Sequence, residues 1–198
     1  KDNLSQLYDK GIFFGLDATG TRYTFDVTGN TVYGAKETAI HVAFGTTTTN
    51  KSVWGLSISN NRLRSINTTA KSLPGAIRID GVATSNARIL LNLCSIVDNN
   101  ISFSDNGVVI EIEQDDTGFC TIQKTNINGN NIFQEVSNST GDPGGILIKR
   151  GTPNSTSQSH SLLDTIISNN CIDATNGAFG IKIETSGWGN ANTFRTCI

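Results

Sequence analysis

Apolar and polar positions along this chain recur in a six-residue theme, apolar-x-x-Asn-x-apolar. It is plainest at Ile58-Ser-Asn-Asn61-Arg-Leu63 and at Ile167-Ser-Asn-Asn170-Cys-Ile172, and Val27/Asn30/Val32, Ile96/Asn99/Ile101 and Ile127/Asn130/Ile132 fit it too. The first apolar positions are separated by 31, 38, 31 and 40 residues, and a further 31 reaches Ile198. Equal intervals broken by longer ones are the mark of a fixed coil with insertions in some turns.

A second alternating segment follows each motif: Ile40-His-Val42, Ile77-Arg-Ile79, Ile110-Glu-Ile112, Ile146-Leu-Ile148 and Ile181-Lys-Ile183. Apolar residues two apart predict a strand with one face buried. Gly75, Gly107, Gly145 and Gly180 precede four of them. A third segment leads to the next motif: Val53-Trp-Gly-Leu56, Ile89 to Leu93, Phe119 to Ile122, Leu162 to Ile166, and Phe194 to Cys197. Ser/Thr/Asn/Gly/Pro-rich loops at 65–74 and 135–143 carry part of the extra residues of the long turns, and further polar loops such as 151–159 lie between second and third strands. Three short strands per coil without helical periodicity predict an all-β chain, a parallel β-solenoid of 31–40 residues per coil. The motif Asn is expected to stack on successive coils, taking the left-handed backbone of a tight corner and bonding the neighbouring coil through its amide. Gly11 to Phe14 and Tyr23 to Phe25 read as a second and a third strand, so residues 11–198 are coils of one domain and 1–10 a lead-in.

Composition narrows the function classes. Charged residues make up 16% of 198 and the net charge is −2, which argues against a nucleic-acid surface or a polybasic membrane anchor. There is no apolar run long enough for a transmembrane helix and no apolar leader at residues 1–8. Methionine is absent, position 1 included, so the chain reads as a fragment of a longer protein. Cys94, Cys120, Cys171 and Cys197 form no C-x-x-C and are expected to be free, buried thiols. No cofactor or metal motif emerges; the acidic stretch Glu113-Gln-Asp-Asp116 lacks EF-hand spacing and reads as a solvated turn.

The succession Ile-x-x-Asn-x-Ile, Gly-x-Ile-x-Ile and a third strand resembles the right-handed, single-stranded parallel β-helix of the pectate-lyase-like superfamily. Met-free coils rich in Asn, Thr and Gly are most similar to its bacteriophage tailspike and tail-fibre branch, over residues 11–198. That resemblance implies a homotrimer on a virion tail, assembled in the host cytoplasm, which binds a bacterial capsule or lipopolysaccharide and in some cases depolymerises it. Two alternatives stand beside it: a secreted polysaccharide lyase or glycoside hydrolase, and a purely structural shaft or adhesin module. No catalytic residue carries over, because the superfamily's calcium and arginine signatures have no counterpart here.

The candidate chemistry therefore comes from the residues themselves. Stacking would make a column of His41, Arg78, Glu111, Leu147 and Lys182, and beside it one of Ala43, Asp80, Glu113, Lys149 and Glu184. Asp80, Glu111 and Glu113 are the candidate acids, since carboxylates a few ångströms apart serve glycoside hydrolysis. Arg78, His41 and Lys149 could orient an anionic sugar or steady an enolate. Alternating charges on an exposed strand face equally form ordinary cross-strand pairs. Trp54, Trp188, Tyr23, Tyr33, Phe133 and Phe179 are candidate sugar platforms, Trp188 above all in its Gly-rich loop. With His41 and His160 as the two histidines, and neither beside a nucleophile, a hydrolytic triad is not expected.

Overall fold

A computed structural model describes residues 4–6, 10–16, 22–35, 37–65, 75–103, 106–114, 118–134, 144–150, 161–173, 179–185 and 193–197. They form three parallel sheets wrapped as a β-solenoid. The first sheet holds β1 (Leu4–Gln6), β4 (Thr31–Ala35), β7 (Arg62–Ser65), β10 (Asn100–Phe103), β14 (Asn131–Gln134) and β17 (Cys171–Asp173). The second holds β2 (Lys10–Gly15), β5 (Thr38–Thr47), β8 (Ile77–Ala83), β11 (Asn106–Gln114), β15 (Gly144–Arg150) and β18 (Phe179–Thr185). The third holds β3 (Arg22–Thr28), β6 (Lys51–Ser59), β9 (Arg88–Val97), β12 (Phe119–Gln123), β13 (Asn126–Asn128), β16 (Ser161–Ser168) and β19 (Thr193–Cys197).

The expected repeat is the register of the first sheet, where Thr31, Arg62, Asn100, Asn131 and Cys171 lie opposite one another in turn. The lead-in also takes part, since Leu4 of β1 pairs with Thr31. Inward positions stack like on like. Val32, Leu63, Ile101 and Ile132 make one buried column, and Val27, Ile58, Ile96 and Ile127 another. At 0–3% exposure each of these side chains gains about 1.5–3 kcal/mol from leaving water.

The corner between third and first sheets is closed by an asparagine ladder. The Nδ2 groups of Asn30, Asn61, Asn99 and Asn130 each donate to the Oδ1 of the next asparagine, at 3.1, 3.0, 2.9 and 2.9 Å, ending on Asn170. The same Oδ1 atoms accept the backbone N–H of the preceding rung at 2.9–3.1 Å. The second Nδ2 hydrogen of Asn61, Asn99, Asn130 and Asn170 goes to the carbonyls of Val27, Ile58, Ile96 and Ile127 at 2.8–2.9 Å. Each inner amide thus makes all four of its hydrogen bonds, which is why a polar group 1–2% exposed, such as Asn61, Asn99 or Asn130, is tolerated in the core wall.

One detail of the expectation is corrected. The left-handed residue at this corner is the one before the ladder asparagine: Gly29, Asn60, Asp98, Gly129 and Asn169, with φ between 53° and 69°. Gly, Asn and Asp are the residue types that occupy this region at least cost. The ladder residue itself is freed to point its amide inward.

A second left-handed line crosses the third sheet at Gly55, Leu93, Lys124 and Asp164, with φ of 94°, 56°, 52° and 51°. Gly55 and Leu93 sit between the register pairs Trp54/Asn92 and Leu56/Cys94. Leu93 is the costly member, a branched side chain 49% exposed in a conformation suited to glycine. Beneath the kink the interior turns polar. The buried hydroxyls of Thr125 and Thr165 have no hydrogen-bond partner, and burial pushes the neighbouring Cys94 thiol up to about 12, so it stays protonated and unreactive. Cys120 is likewise free and buried, but Cys171 is free and exposed on β17, against the expectation of a buried thiol; at Cys197 no side chain is described.

Two outcomes follow. Asn99→Ala removes the acceptor of the Asn61 backbone N–H and Nδ2 and the donor to Ile58 O and Asn130 Oδ1, and should lower unfolding stability by about 3–5 kcal/mol in a denaturant titration, from orphaned groups costing roughly 1–3 kcal/mol each. A loss below about 1 kcal/mol would show that the ladder is not the corner's main support. Leu93→Asn should raise stability by about 1 kcal/mol through relief of the left-handed penalty, read as a higher denaturation midpoint.

Candidate functional site

Two open depressions lie where a β-bulge interrupts the stacking. In β5 the register passes from Ala43/Asp80 to Gly45/Gly81, leaving Phe44 as the extra residue, with Gly45 at φ 65°. Phe44 turns into the core, and the outer wall sinks beside it into a depression of about 170 Å³ lined by Gly45, Thr46, Arg78, Asp80, Val82 and Glu111. In β4 the register passes from Val32/Leu63 to Ala35/Ser65, leaving Tyr33 and Gly34 opposite Arg64, with Gly34 at φ 69°. A groove of about 240 Å³ opens there, lined by Tyr33, Arg62, Arg64, Asn100 and Ser102 among others. Bulges commonly re-aim side chains in this manner.

The first depression is lined by three of the residues singled out from the sequence, Arg78, Asp80 and Glu111, with His41 and Lys149 paired to them, in a different register from the expected one. Val108 and Ile110, not Ile110 and Ile112, lie opposite Ile77 and Ile79. Glu111 therefore sits between Asp80 and Lys149, while Arg78 shares a column with His41, Val109, Leu147 and Lys182. Glu113 is moved one step along, opposite Val82, and its side chain lies outside the described residues. A slip of two keeps the same residues facing inward, so hydrophobic alternation does not distinguish the registers. Gly107 does: a Cβ there would lie 2.5 Å from Ile132 Cγ2, so this glycine belongs at the crowded corner and Val108 directly after it begins the strand's core column. Trp188 and His160 lie outside the described residues, as does part of the acidic stretch at 115–117.

The side chains form a continuous line of charge over four strands. His41 Nε2 donates to Asp80 Oδ1 at 2.9 Å, and Arg78 Nε lies 2.5 Å from Asp80 Oδ2. Arg78 Nη2 reaches Glu111 Oε2 at 3.3 Å, and Lys149 Nζ donates to Glu111 Oε1 at 2.9 Å. Further on, Lys182 pairs with Glu184 at 2.6 Å. The His41 ring is buried with its edge on exposed Phe13, 5.3 Å between centroids, and Lys10 stands 4.5 Å over that same ring. Each oxygen of both carboxylates faces a basic group. Burial acts to raise the Asp80 pKa, but the His41 hydrogen bond and the charges of Arg78 and His41 outweigh it, and the net shift is downward. Asp80 is accordingly an ionised carboxylate, the opposite of what a general acid requires. Among the described residues no group of three or more His, Cys, Asp or Glu side chains is placed to hold a metal ion.

The groove of the first sheet was only partly visible in the sequence. Tyr33 and Phe133 stood among the aromatic candidates, but Arg62 and Arg64 did not stand out. Arg62 is exposed, and its guanidinium carbon lies 5.7 Å from the Tyr33 ring centre. Phe133, 44% exposed, occupies the register column of Arg64 and Ser102. The signal available was the alternation Arg62-Leu-Arg64 directly after a ladder asparagine, which places both arginines on the outer face.

The pH dependence of stability tests the charge line. With the folded pKa of Asp80 below its ordinary 3.8, the unfolded chain takes up the proton first as pH falls. The contribution of Asp80 is complete above that value and is lost as pH drops through the folded pKa. Asp80→Asn should therefore be less stable than the parent near about pH 7 and lose less between about pH 5 and pH 2, measured by urea denaturation at each pH. Parallel curves would remove the electrostatic role assigned to Asp80.

No family model, no curated protein and no solved structure matches the chain.

Proposed function

We propose that the chain is a β-helical segment of the phage tailspike or tail-fibre kind, which binds a bacterial surface polysaccharide along the outside of its shaft without cutting it. One observation carries the reading: the groove of the first sheet, where a bulge sets Tyr33 beside Arg62, Arg64, Asn100 and Ser102, with exposed Phe133 on the same wall. Sugar rings offer an apolar face to an aromatic ring and hydroxyls to planar amide and guanidinium groups. On this reading the segment stands as a homotrimer in a virion tail; a secreted glycan-binding protein would use the same groove.

The choice of binder over depolymerase rests on the second-sheet wall. Glycoside hydrolysis needs one carboxyl kept protonated beside another kept ionised. Asp80 is held ionised, which rules it out as the acid, and both oxygens of Glu111 are engaged by Arg78 and Lys149. A closed set of ion pairs braces a wall, which also favours the second reading, a purely structural shaft.

Calorimetric titration with purified capsular polysaccharides and lipopolysaccharide O-chains should give saturable binding, while reducing ends and the absorbance of unsaturated sugars stay at the blank. Product formation abolished by Asp80→Asn with Glu111→Gln would make the protein a depolymerase instead. Absence of binding to every glycan would leave the shaft.

A further inference from the structure

We infer that the third sheet encloses a binding site for an internal water molecule at its kink, where the water bridges the buried hydroxyls of Thr125 and Thr165. The site is separate from both surface depressions and does not depend on the function proposed above.

The register is the first ground. On the inner side of the kink Phe25 pairs with Leu56 and Leu56 with Cys94. The pairs Ser95/Asn126 and Asn126/Ile166, one residue on, set Thr125 beside Cys94 and Thr165 beside Thr125, and Thr196 stands at the next register position. Along the axis this column runs from large apolar side chains to a thiol and then to hydroxyls. Thr125 and Thr165 are each 1% exposed, and neither Oγ1 has a hydrogen-bond partner among the described residues. An unpaired buried hydroxyl keeps its full desolvation cost, so two of them in register call for a shared partner.

Geometry is the second ground. Like atoms of stacked side chains on neighbouring strands stand about 4.8 Å apart, too far for one hydroxyl to bond the other. A water about 2.8 Å from each oxygen spans that separation with an angle of about 120° at its centre, close to its preferred arrangement. One threonine donates to it and the other accepts from it, and two polar partners are the least that hold a buried water.

The kink supplies the room. From Val53 to Leu56 the chain takes three steps where Tyr23 to Phe25 takes two, and from Leu162 to Thr165 three where Phe194 to Thr196 takes two. The left-handed residues Gly55, Leu93, Lys124 and Asp164 mark this extra step in successive coils. Extra residues bend a strand, and beneath the bend each threonine is smaller than the Leu56 that fills the corresponding place in an earlier coil. The surroundings select a neutral ligand. Lys124 and Asp164 are exposed, and the buried neighbours on the same strands are Ile122, Ile127, Leu162 and Ile167. An ion there would lose its hydration with no opposite charge beside it, whereas water is uncharged and both donates and accepts.

The test begins with a crystal structure of the whole chain, at a resolution that shows ordered water. Density for one water should lie within about 3.2 Å of both Oγ1 atoms. Thr125→Val and Thr165→Val keep the outline of the side chain and remove one bond to the water. Each should raise the unfolding equilibrium constant about fivefold to tenfold in a urea titration, the loss of one hydrogen bond. Thr125→Ser keeps a hydroxyl at the same place and should keep the water in its density. Valine variants as stable as the parent, or more stable, would mean dry and unpaired hydroxyls and overturn the site. Parent density in which the hydroxyls bond main-chain or side-chain groups, with no water between them, overturns it whatever the variants do. If a valine variant fails to fold, the parent density decides alone.

Discussion

The corner between the third and first sheets buries backbone groups that no strand satisfies, and one side-chain amide per coil satisfies them. The inner asparagines Asn61, Asn99 and Asn130 accept from the coil before and donate both to it and to the coil after. Their fit sets the vertical alignment of the coils, and the alignment in turn decides which side chains meet on the outer walls. Hydrophobic stacking supplies the larger energy, but it is tolerant of exchanging Val, Ile and Leu. The amide bonds are not tolerant, because they require one geometry at one position in each coil.

Against that background the outer walls are the places where alignment has been relaxed. Both depressions sit beside an extra residue in one strand, Phe44 in β5 and Tyr33-Gly34 in β4. The two have opposite electrostatic characters. Around Asp80 and Glu111 the wall neutralises itself through neighbours on four strands. Around Arg62 the groove is lined by a tyrosine, a second arginine, an amide and a hydroxyl, with the guanidinium stacked on the Tyr33 ring. Shape is similar in both cases, and the pairing of charges separates them.

The coil architecture was legible because its signals are local and repeated: an asparagine at 30, 61, 99, 130 and 170 flanked by apolar residues can hardly be read otherwise. What was misread depended on relations between coils. Ile110 looked the equal of Ile77 until Gly107 was placed at its corner, and that two-residue slip changed the partners of Glu111. The left-handed residue was assigned one place too late, although Gly29, Asn60, Asp98, Gly129 and Asn169 are all types that favour such a backbone. The arginine groove was hidden for a further reason. It exists only because β4 has one residue more than β7 across the bulge, and strand alternation alone does not count residues between neighbours.

The ladder also has a direction. In every rung the Nδ2 group points toward later coils and the Oδ1 toward earlier ones, so the amide dipoles add along the axis as peptide dipoles do in an α-helix. Each bond polarises the next, and the stack behaves as one extended electrical object with its positive pole toward the later coils. A solenoid held in this way is polar along its length, and a coil added at one pole meets a different field from a coil added at the other.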